Sequence, residues 1–326
     1  MMKNCTTPIS SVPYAPVIIP TLCRYTHFKR CLESIERCTG ASNTDVYVAL
    51  DYPPSAEYIE GWKRIDSYLK EKEKSNGFRN LIVRRRDHNC GVFKEGSNHQ
   101  LLVEEIEKKS DRYIFSEDDN EFSPNFLDYM NKSLEHYKNE PNVLYVSAYT
   151  PPIFKQITHN NTFFGLDTPA YGLGCWTYKT SADMFSNTDL KNILHSSIKK
   201  TLQLYWTWPA LLNMALDMVI NDHDWGDVRH SIYNYFHHTY TLQPSVSLCR
   251  NWGCDGSGVN SGFVKNKELE QIQSDSEFAL QDIAYEYPQA MIKKLFHLNM
   301  PKNKLKFIKQ MFLILKKFSK FYHLCK

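Results

Sequence analysis

The chain has 326 residues, which is enough for one large α/β domain or for two domains. Its 42% hydrophobic and 23% charged residues are ordinary values for a globular protein. Subtracting the eight lysines of residues 301–326 from the net charge of +3 leaves −5 for residues 1–300, which argues against nucleic acid as a partner. The nine cysteines form no Cys-x-x-Cys pair, so we expect no structural zinc site. The polar N-terminus lacks the apolar stretch of a secretory signal, so we expect a cytoplasmic protein.

Apolar runs alternate with amphipathic segments along the first 120 residues. Buried strands are predicted at residues 16–22, 45–51, 80–84 and 112–115. Helices are predicted between them, over residues 26–38, 57–73 and 96–109. This alternation predicts an α/β fold with a mostly parallel central sheet and helices on both faces. In such a sheet ligands bind beyond the carboxyl ends of the strands.

The second half of the chain is less regular. Helices are predicted over residues 124–138, 202–220, 227–236 and 305–318. Strands are predicted over residues 143–148, 239–242 and 245–248. Residues 264–300 are polar and mixed, so we expect a connecting segment before the basic tail of residues 301–326.

Three acids, Glu117, Asp118 and Asp119, directly follow the fourth predicted strand. Adjacent carboxylates repel one another, so a fold that keeps them together usually binds a cation there. A hard divalent ion, Mn²⁺ or Mg²⁺, prefers such oxygens and keeps open positions that phosphate oxygens can fill. The alternative is a solvated acidic turn or a helix N-cap before Pro124.

Polar residues also follow the first two predicted strands. Thr21 and Arg24 come after the first, and Arg24 suits a phosphate or a base edge unless it forms only a surface salt bridge. Asp51 ends the second, where an acid can accept from a uracil N–H or a ribose hydroxyl. Its alternative role is that of a turn residue before Pro53.

These segments together resemble a known family. Pro20 to Leu32, Asp51, and the run Ser116 to Asp119 followed by Pro124-Asn125-Phe126 resemble GT-A fold glycosyltransferases. The similar members are bacterial family 2-like transferases of surface polysaccharide clusters and the N-acetylglucosaminyltransferase I type. The stretch Gly172 to Trp176 is similar to the acceptor-side Gly-Leu-Gly-Trp of the second type. The resemblance covers about residues 15–262.

The resemblance implies specific roles. Asp119 would bind the metal ion, while Glu117 and Asp118 would contact the ribose, the sugar or groups around the ion. Asp51 would contact the uracil, and Thr21 and Arg24 the nucleotide. On the acceptor side the resemblance points to Gly172, Gly174 and Trp176. It also implies a GT-A domain over residues 1–263, with a nucleotide-binding half at about 15–120 and an acceptor half at 121–263.

A second group of acids surrounds Trp225. Similar transferases carry the base for the acceptor hydroxyl beside a tryptophan at a helix start. Asp224 is the favoured candidate here, then Asp227, then Asp222. The alternative is an N-cap cluster, where aspartate is favoured by the helix dipole alone.

The stretch Asn251 to Asn260 resembles the Asn-x-Gly-x-Asp-Gly-Ser-Gly-x-His loop of the bacterial transferases and includes Asp255 and Gly256. Glycines let such a loop approach phosphates closely. Asn260 stands where the family has histidine, so a metal ligand there is in doubt. The alternative is a flexible surface loop.

The expected function is transfer of a hexosyl or N-acetylhexosaminyl group from a UDP-sugar to a glycan or lipid-linked glycan in capsule or other surface polysaccharide synthesis. Inversion is the expected outcome, with retention as the alternative. A sugar nucleotidyltransferase and a non-catalytic sugar-binding scaffold are the rival classes.

The helix predicted over 305–318 is apolar and cationic, which favours association with an anionic inner membrane face. The alternative is a terminal helix docked on the catalytic domain.

Overall fold

A computed structural model describes most of the chain. The described residues are 13–91, 96–151, 162–180, 186–196, 198–223, 225–258, 278, 280 and 304–324. Asp224, Asn260 and nearly all of the predicted connecting segment lie outside them.

Ten described strands form two sheets. The strands are β1 Val17–Thr21, β2 Asp45–Leu50, β3 Asn80–Arg85, β4 Arg112–Phe115, β5 Asn120–Phe122, β6 Val143–Ser147, β7 Thr162–Gly165, β8 Leu173–Trp176, β9 Tyr240–Pro244 and β10 Cys249–Asn251. The large sheet has the order β3-β2-β1-β4-β8-β6-β9-β7, and β10 pairs with β5 in the small one. Only β7 and β8 run against the other six strands of the large sheet. The predicted α/β fold with a mostly parallel central sheet is confirmed.

Nine described α-helices accompany the sheets. They are α1 Tyr25–Glu36, α2 Ala56–Lys72, α3 Asn98–Glu107, α4 Phe126–His136, α5 Asn187–Ser196, α6 Ile198–Thr207, α7 Pro209–Asn221, α8 Gly226–His237 and α9 Lys304–Leu324. The single helix predicted over 202–220 is wrong, because the chain turns at Trp208 and Pro209 begins a new helix. Proline has no N–H to continue a helix but fits its first turn. The strand predicted at 245–248 lies instead at 249–251.

Helices cover both faces of the large sheet because successive strand residues point to opposite sides. Val17 and Ile19 of β1 pack with α1, α2 and α4 on one face. Ile18, between them, packs with Leu102 and Ile106 of α3 on the other face. The predicted helical layers on both faces are therefore confirmed.

Helices α5 to α9 share a separate hydrophobic core. The terminal helix α9 buries Ile314 and Phe321 in this core. Lys317 Nζ of α9 donates to Asn213 Oδ1 of α7 at 2.9 Å and pairs with Asp217. The predicted C-terminal helix is present and docks on α7 along one face. None of the described helices is long and apolar enough to cross a bilayer.

Candidate functional site

The carboxyl ends of β1, β2 and β4 lie at one edge of the sheet, because the three strands are parallel. Thr21 ends β1, Asp51 follows β2, and the acidic run begins two residues after β4. Asp118 and Asp119 are both buried. The edge predicted from the sequence to bind ligands therefore holds two buried carboxylates.

Arg24, in the loop between β1 and α1, pairs with both of these acids. Its Nη2 lies 2.8 Å from Asp119 Oδ2 and also contacts Asp118 Oδ1. Thr21 Oγ1 donates to Asp118 Oδ2 at 2.8 Å. Burial raises the pKa of Asp118, while the Arg24 guanidinium opposes that rise. The structure thus brings Thr21, Arg24, Asp118 and Asp119 together and gives Arg24 a role beyond a surface salt bridge.

Glu117 faces the same group of charges. Burial, followed by the negative charges of Asp119 and Asp118, raises the pKa of Glu117 well above its ordinary value. The charge of Asp227 on α8 contributes to the same rise. The charge of Glu117 in turn raises the pKa of the Tyr171 phenol, after burial. The acidic run, Asp227 and Tyr171 are therefore close enough to interact electrostatically, and we call the region around the acidic run the cleft.

The small sheet brings a distant loop to the acids. Asn251 of β10 is the register partner of Asn120 of β5, the residue after Asp119. Asn251 Nδ2 donates to Asp119 Oδ1 at 2.6 Å, and the Trp252 N–H donates to Asp119 O at 2.9 Å. A Cβ atom on Gly253 would lie 2.3 Å from Asp119 Oδ2. Only glycine allows the backbone to come this close to the carboxylate.

The Trp252 ring is held between two guanidinium groups. Arg250 lies 3.7 Å and Arg30 4.0 Å from the ring centroid. The indole Nε1 donates to Glu121 Oε2 at 2.8 Å. Cation–π contacts on both faces and a hydrogen bond at the edge fix the start of the loop beside Asp119.

Asp255 and Gly256 lie further along this loop. Asp255 Oδ2 is 3.1 Å from His27 Nε2 on α1. Hydrogen bonds from Ser257 lower the pKa of Asp255. Gly256 has φ +82°, a left-handed conformation that favours glycine. The loop therefore forms a defined turn that contacts α1 through Asp255 and His27.

The acceptor positions of the Asp51 carboxylate are all occupied by groups of the protein. Its Oδ1 accepts from the N–H groups of Tyr52 and Cys90, and its Oδ2 from Gly91 N–H and Asn89 Nδ2. A carboxylate has about four acceptor positions, and all four are used. Asp51 orders the loop after β3, and a contact with uracil would require some of these bonds to break.

The acids around Trp225 separate into different places. Asp222 has φ +54° where it ends α7, is exposed, and accepts from Asn187 Nδ2 at 3.2 Å. Asp227 lies in the first turn of α8. Its side chain is open to solvent, yet surrounding protein raises its pKa by desolvation. Of the two described acids, only Asp227 is shown to act electrostatically on the acidic run.

The predicted acceptor-side residues mostly have structural roles. A Cβ atom on Gly172, which has φ +75°, would lie 2.7 Å from Phe122, and one on Gly174 would lie 2.8 Å from Met130. Trp176 is fully buried and donates from Nε1 to Leu134 O at 3.1 Å. Trp176 therefore belongs to the core, and its side chain is not exposed to an acceptor in this structure. Tyr171, which the sequence did not single out, is the residue of this stretch near the acids.

The carboxylates of Asp118 and Asp119 fit a divalent ion that takes only some of its ligands from the protein. Among the described residues, no three His, Cys, Asp or Glu side chains converge into a complete metal site. Mg²⁺-type sites commonly use one or two carboxylates and leave other positions to water and substrate phosphates. Asp118 and Asp119 already hold one cationic group, that of Arg24. Asp119 and Asp118 are thus the side chains that would hold an ion.

Sequence reasoning missed several residues of the cleft. Asn251, Trp252 and Gly253 belong to the glycine-rich stretch noticed in the sequence, but their contact with Asp119 depends on the pairing of β10 with β5. His27 carried no sequence signal beyond lying three residues after Arg24. Tyr171 carried only its position before Gly172.

No protein-family model matches the chain, and no curated protein matches it. Solved structures similar to it include S. aureus TarS 1-349 in complex with UDP, at 17% identity and a TM-score of 0.29 over 41% of this chain and 34% of that one. Another is the mannosyltransferase PcManGT from Pyrobaculum calidifontis in complex with GDP-Man and Mn2+, at 12% identity, TM-score 0.38, and 68% and 70% of the two chains.

A third is the glycosyltransferase GlyE in Streptococcus pneumoniae TIGR4, at 10% identity and a TM-score of 0.36 over 70% of this chain and 45% of that one. The chain spans about a fifth of the longer TarS chain and about a third of the shorter one. These are likenesses of chain path, and they assign no role to any residue of this chain.

Proposed function

We propose that the protein is a GT-A type glycosyltransferase that transfers a sugar from a nucleotide-sugar donor, with UDP as the expected nucleotide. The observation that carries this proposal is the pair of buried carboxylates, Asp118 and Asp119, at the carboxyl ends of parallel strands. The basic side chain of Arg24 and the loop that contains Gly253 contact this pair. Acidic, basic and glycine residues together supply the groups that a diphosphate and its cation need.

The donor side of the cleft follows from these contacts. Asp119, with Asp118 beside it, would hold Mn²⁺ or Mg²⁺, which when bound neutralises charge on the leaving diphosphate. Arg24 adds fixed positive charge at the same place. Gly253 and Gly256 keep the loop backbone narrow enough for phosphate oxygens to approach, and Thr21 orients Asp118.

The acceptor side centres on Asp227. Its electrostatic interaction with Glu117 and its raised pKa suit a general base. Asp227 takes the proton of the acceptor hydroxyl while that oxygen bonds to the anomeric carbon. The bond from the anomeric carbon to the diphosphate breaks, and its electron pair leaves with the nucleotide. A single displacement of this kind inverts the anomeric centre.

The acceptor that we propose is a hydroxyl of a glycan or of a lipid-linked glycan in surface polysaccharide synthesis. Tyr171 is close enough to Glu117 for the charge of Glu117 to act on its pKa, and it offers an aromatic surface of the kind that sugars use.

Turnover of nucleotide sugars in the absence of acceptor tests the proposal. We expect slow release of UDP from one UDP-sugar with Mn²⁺ or Mg²⁺, and loss of this release when a chelator is added. Binding of a sugar nucleotide without any metal-dependent turnover would favour the non-catalytic sugar-binding class. Release of pyrophosphate from a nucleoside triphosphate and a sugar phosphate would identify a nucleotidyltransferase instead.

A further inference from the structure

The large apolar side chains exposed to solvent are concentrated on α6 and α9. On α6 they are Ile198, Leu202 and Trp206, which are spaced four residues apart and lie on one face. On α9 they include Leu305, Ile308, Phe312 and Leu315. Trp206 is 60% exposed and Phe312 is 68% exposed.

A groove joins these two helical faces into one surface. Leu202 and Trp206 of α6 and Leu315 of α9 line the same groove, which has a volume of about 330 Å³. Ile314, which is buried, also lines the groove. We call the exposed apolar residues of α6 and α9, with this groove, the α6–α9 surface. Such a patch on a protein surface marks an interaction site.

A row of lysines borders the α6–α9 surface. Lys309, Lys316 and Lys320 of α9 are exposed and project from one side of the helix. At the helical spacing of 100° per residue this side adjoins that of Ile308 and Phe312. Neither α6 nor α9 contains an acidic residue. Apolar side chains beside cationic ones on a helix are the pattern of a helix lying in a membrane interface.

We infer that the α6–α9 surface docks on an anionic lipid bilayer. The apolar side chains enter the boundary between headgroups and acyl chains, and the lysines contact the lipid phosphates. Trp206 lines the groove and is largely exposed, and an indole with its polar N–H suits the headgroup region. The sequence pointed only to the tail, whereas the structure adds α6 and the groove to the same surface.

Charge decides between a bilayer and a second copy of the chain. A two-fold interface uses the same patch on both subunits. Pairing two α6–α9 surfaces would place the lysine rows of both copies at the interface, where lysine is unfavourable. An anionic bilayer neutralises the same lysines.

Co-sedimentation of the full chain with vesicles tests this inference. We expect binding to phosphatidylcholine vesicles that contain phosphatidylglycerol, little binding to phosphatidylcholine alone, and weaker binding as salt is added. Lys309→Gln with Lys316→Gln should weaken partitioning roughly 30-fold, at about fivefold per lysine near the surface. Trp206→Ser with Phe312→Ser should abolish pelleting. The control, Lys63→Gln with Lys74→Gln, makes the same charge change at two exposed lysines, one on α2 and one in the turn that follows it.

Three results would overturn the inference. The wild type could remain in the supernatant with anionic vesicles, or the α2 control could lose as much binding as the α9 variant. Sedimentation velocity could also show a wild-type dimer that Trp206→Ser with Phe312→Ser turns into a monomer, which would assign the surface to a second copy. Vesicle binding needs no nucleotide sugar, so this outcome is independent of the UDP-release assay.

Discussion

Two groups of acids in this molecule look alike in sequence and differ in structure. Glu117 to Asp119 follow a parallel strand, and the last two are buried around one guanidinium. Asp222 and Asp227 flank the start of a helix, and both are exposed. In the first group the neighbouring strands fix where all the carboxylates go. In the second, both acids are exposed, and of the two only Asp227 is shown to interact with the acidic run.

The comparison shows that the position of an acid relative to a sheet edge predicts its role better than the number of acids nearby. A cluster at a strand end acts as a unit because the sheet holds it together. In a cluster at a helix start, the role of each acid must be assigned separately. The predictions below test these assignments.

The largest effect should come from Asp119→Asn. The substitution keeps the size of the side chain but removes the charge that would hold the ion. A bound ion contributes several kcal/mol to the transition state, so we expect transfer to fall by more than about a thousandfold. Titration of Mn²⁺ in the presence of UDP should show lost binding. Asp111→Asn, at an exposed acid before β4, is the control. If Asp111→Asn lost as much transfer activity as Asp119→Asn, the specific role of Asp119 would be contradicted.

Asp227→Asn tests whether the second group really contains one functional acid. Loss of a general base should lower kcat by about a hundredfold to ten-thousandfold and leave UDP binding unchanged. The matched variant Asp222→Asn alters an exposed acid at the end of α7 and should keep nearly full activity. If both variants lose activity alike, or neither does, the assignment of Asp227 fails and Asp224 becomes the acid to test.

Gly253→Ala tests how closely the loop must approach Asp119. The added Cβ would meet Oδ2 at 2.3 Å, so the loop or the carboxylate must move. A displacement of about 1 Å near the reacting groups can cost about a hundredfold in rate. Gly226→Ala at the start of α8 places its Cβ where nothing lies within 4 Å. That variant should raise the free energy of unfolding by about 0.5 kcal/mol in urea titration, whereas Gly253→Ala should lower it.

The smallest effect concerns stability and pH. The raised pKa of Asp227 means that the folded protein binds its proton more tightly than the unfolded chain does. The stabilisation is complete below the unfolded pKa and is lost as pH rises through the folded pKa. Asp227→Asn removes this loss, so at pH 8 the variant should resist urea slightly better than the wild type. The difference should shrink on acidification, and a difference that grows would contradict the pKa direction.

Much of the first half of the fold could be predicted from the sequence. The strands β1 to β4 and helices α1 to α3 are signalled by local apolar runs and helical periodicity, and their order implies a parallel sheet. The acidic run and Arg24 were placed at one edge for the same reason. These predictions depend on short stretches of chain and on one general rule of sheet topology.

The features that the sequence did not predict depend on distant pairings. The resemblance assigns the stretch that forms β8 to the acceptor side, yet this strand pairs with β4 and β6 inside the sheet, and a Cβ atom on Gly174 would lie 2.8 Å from Met130 of α4. Asn251 and Gly253 reach Asp119 only through the pairing of β10 with β5. Asp51 seemed available to a ligand because its partners, the N–H groups of Cys90 and Gly91, come from a separate loop.

Trp252 gives the cleft its own optical signal. The emission of an indole depends on the charges and water around it, and this ring lies between two guanidinium groups one residue from Asn251 and bonded through its backbone to Asp119. Trp176 is sealed in the core and contributes a constant background, while Trp206 stands on the α6–α9 surface. Fluorescence titration of the unlabelled chain with UDP and Mn²⁺ would report nucleotide binding through Trp252, and a titration with vesicles would report membrane binding through Trp206. Trp252→Phe should remove the first signal only, and Trp206→Phe the second only.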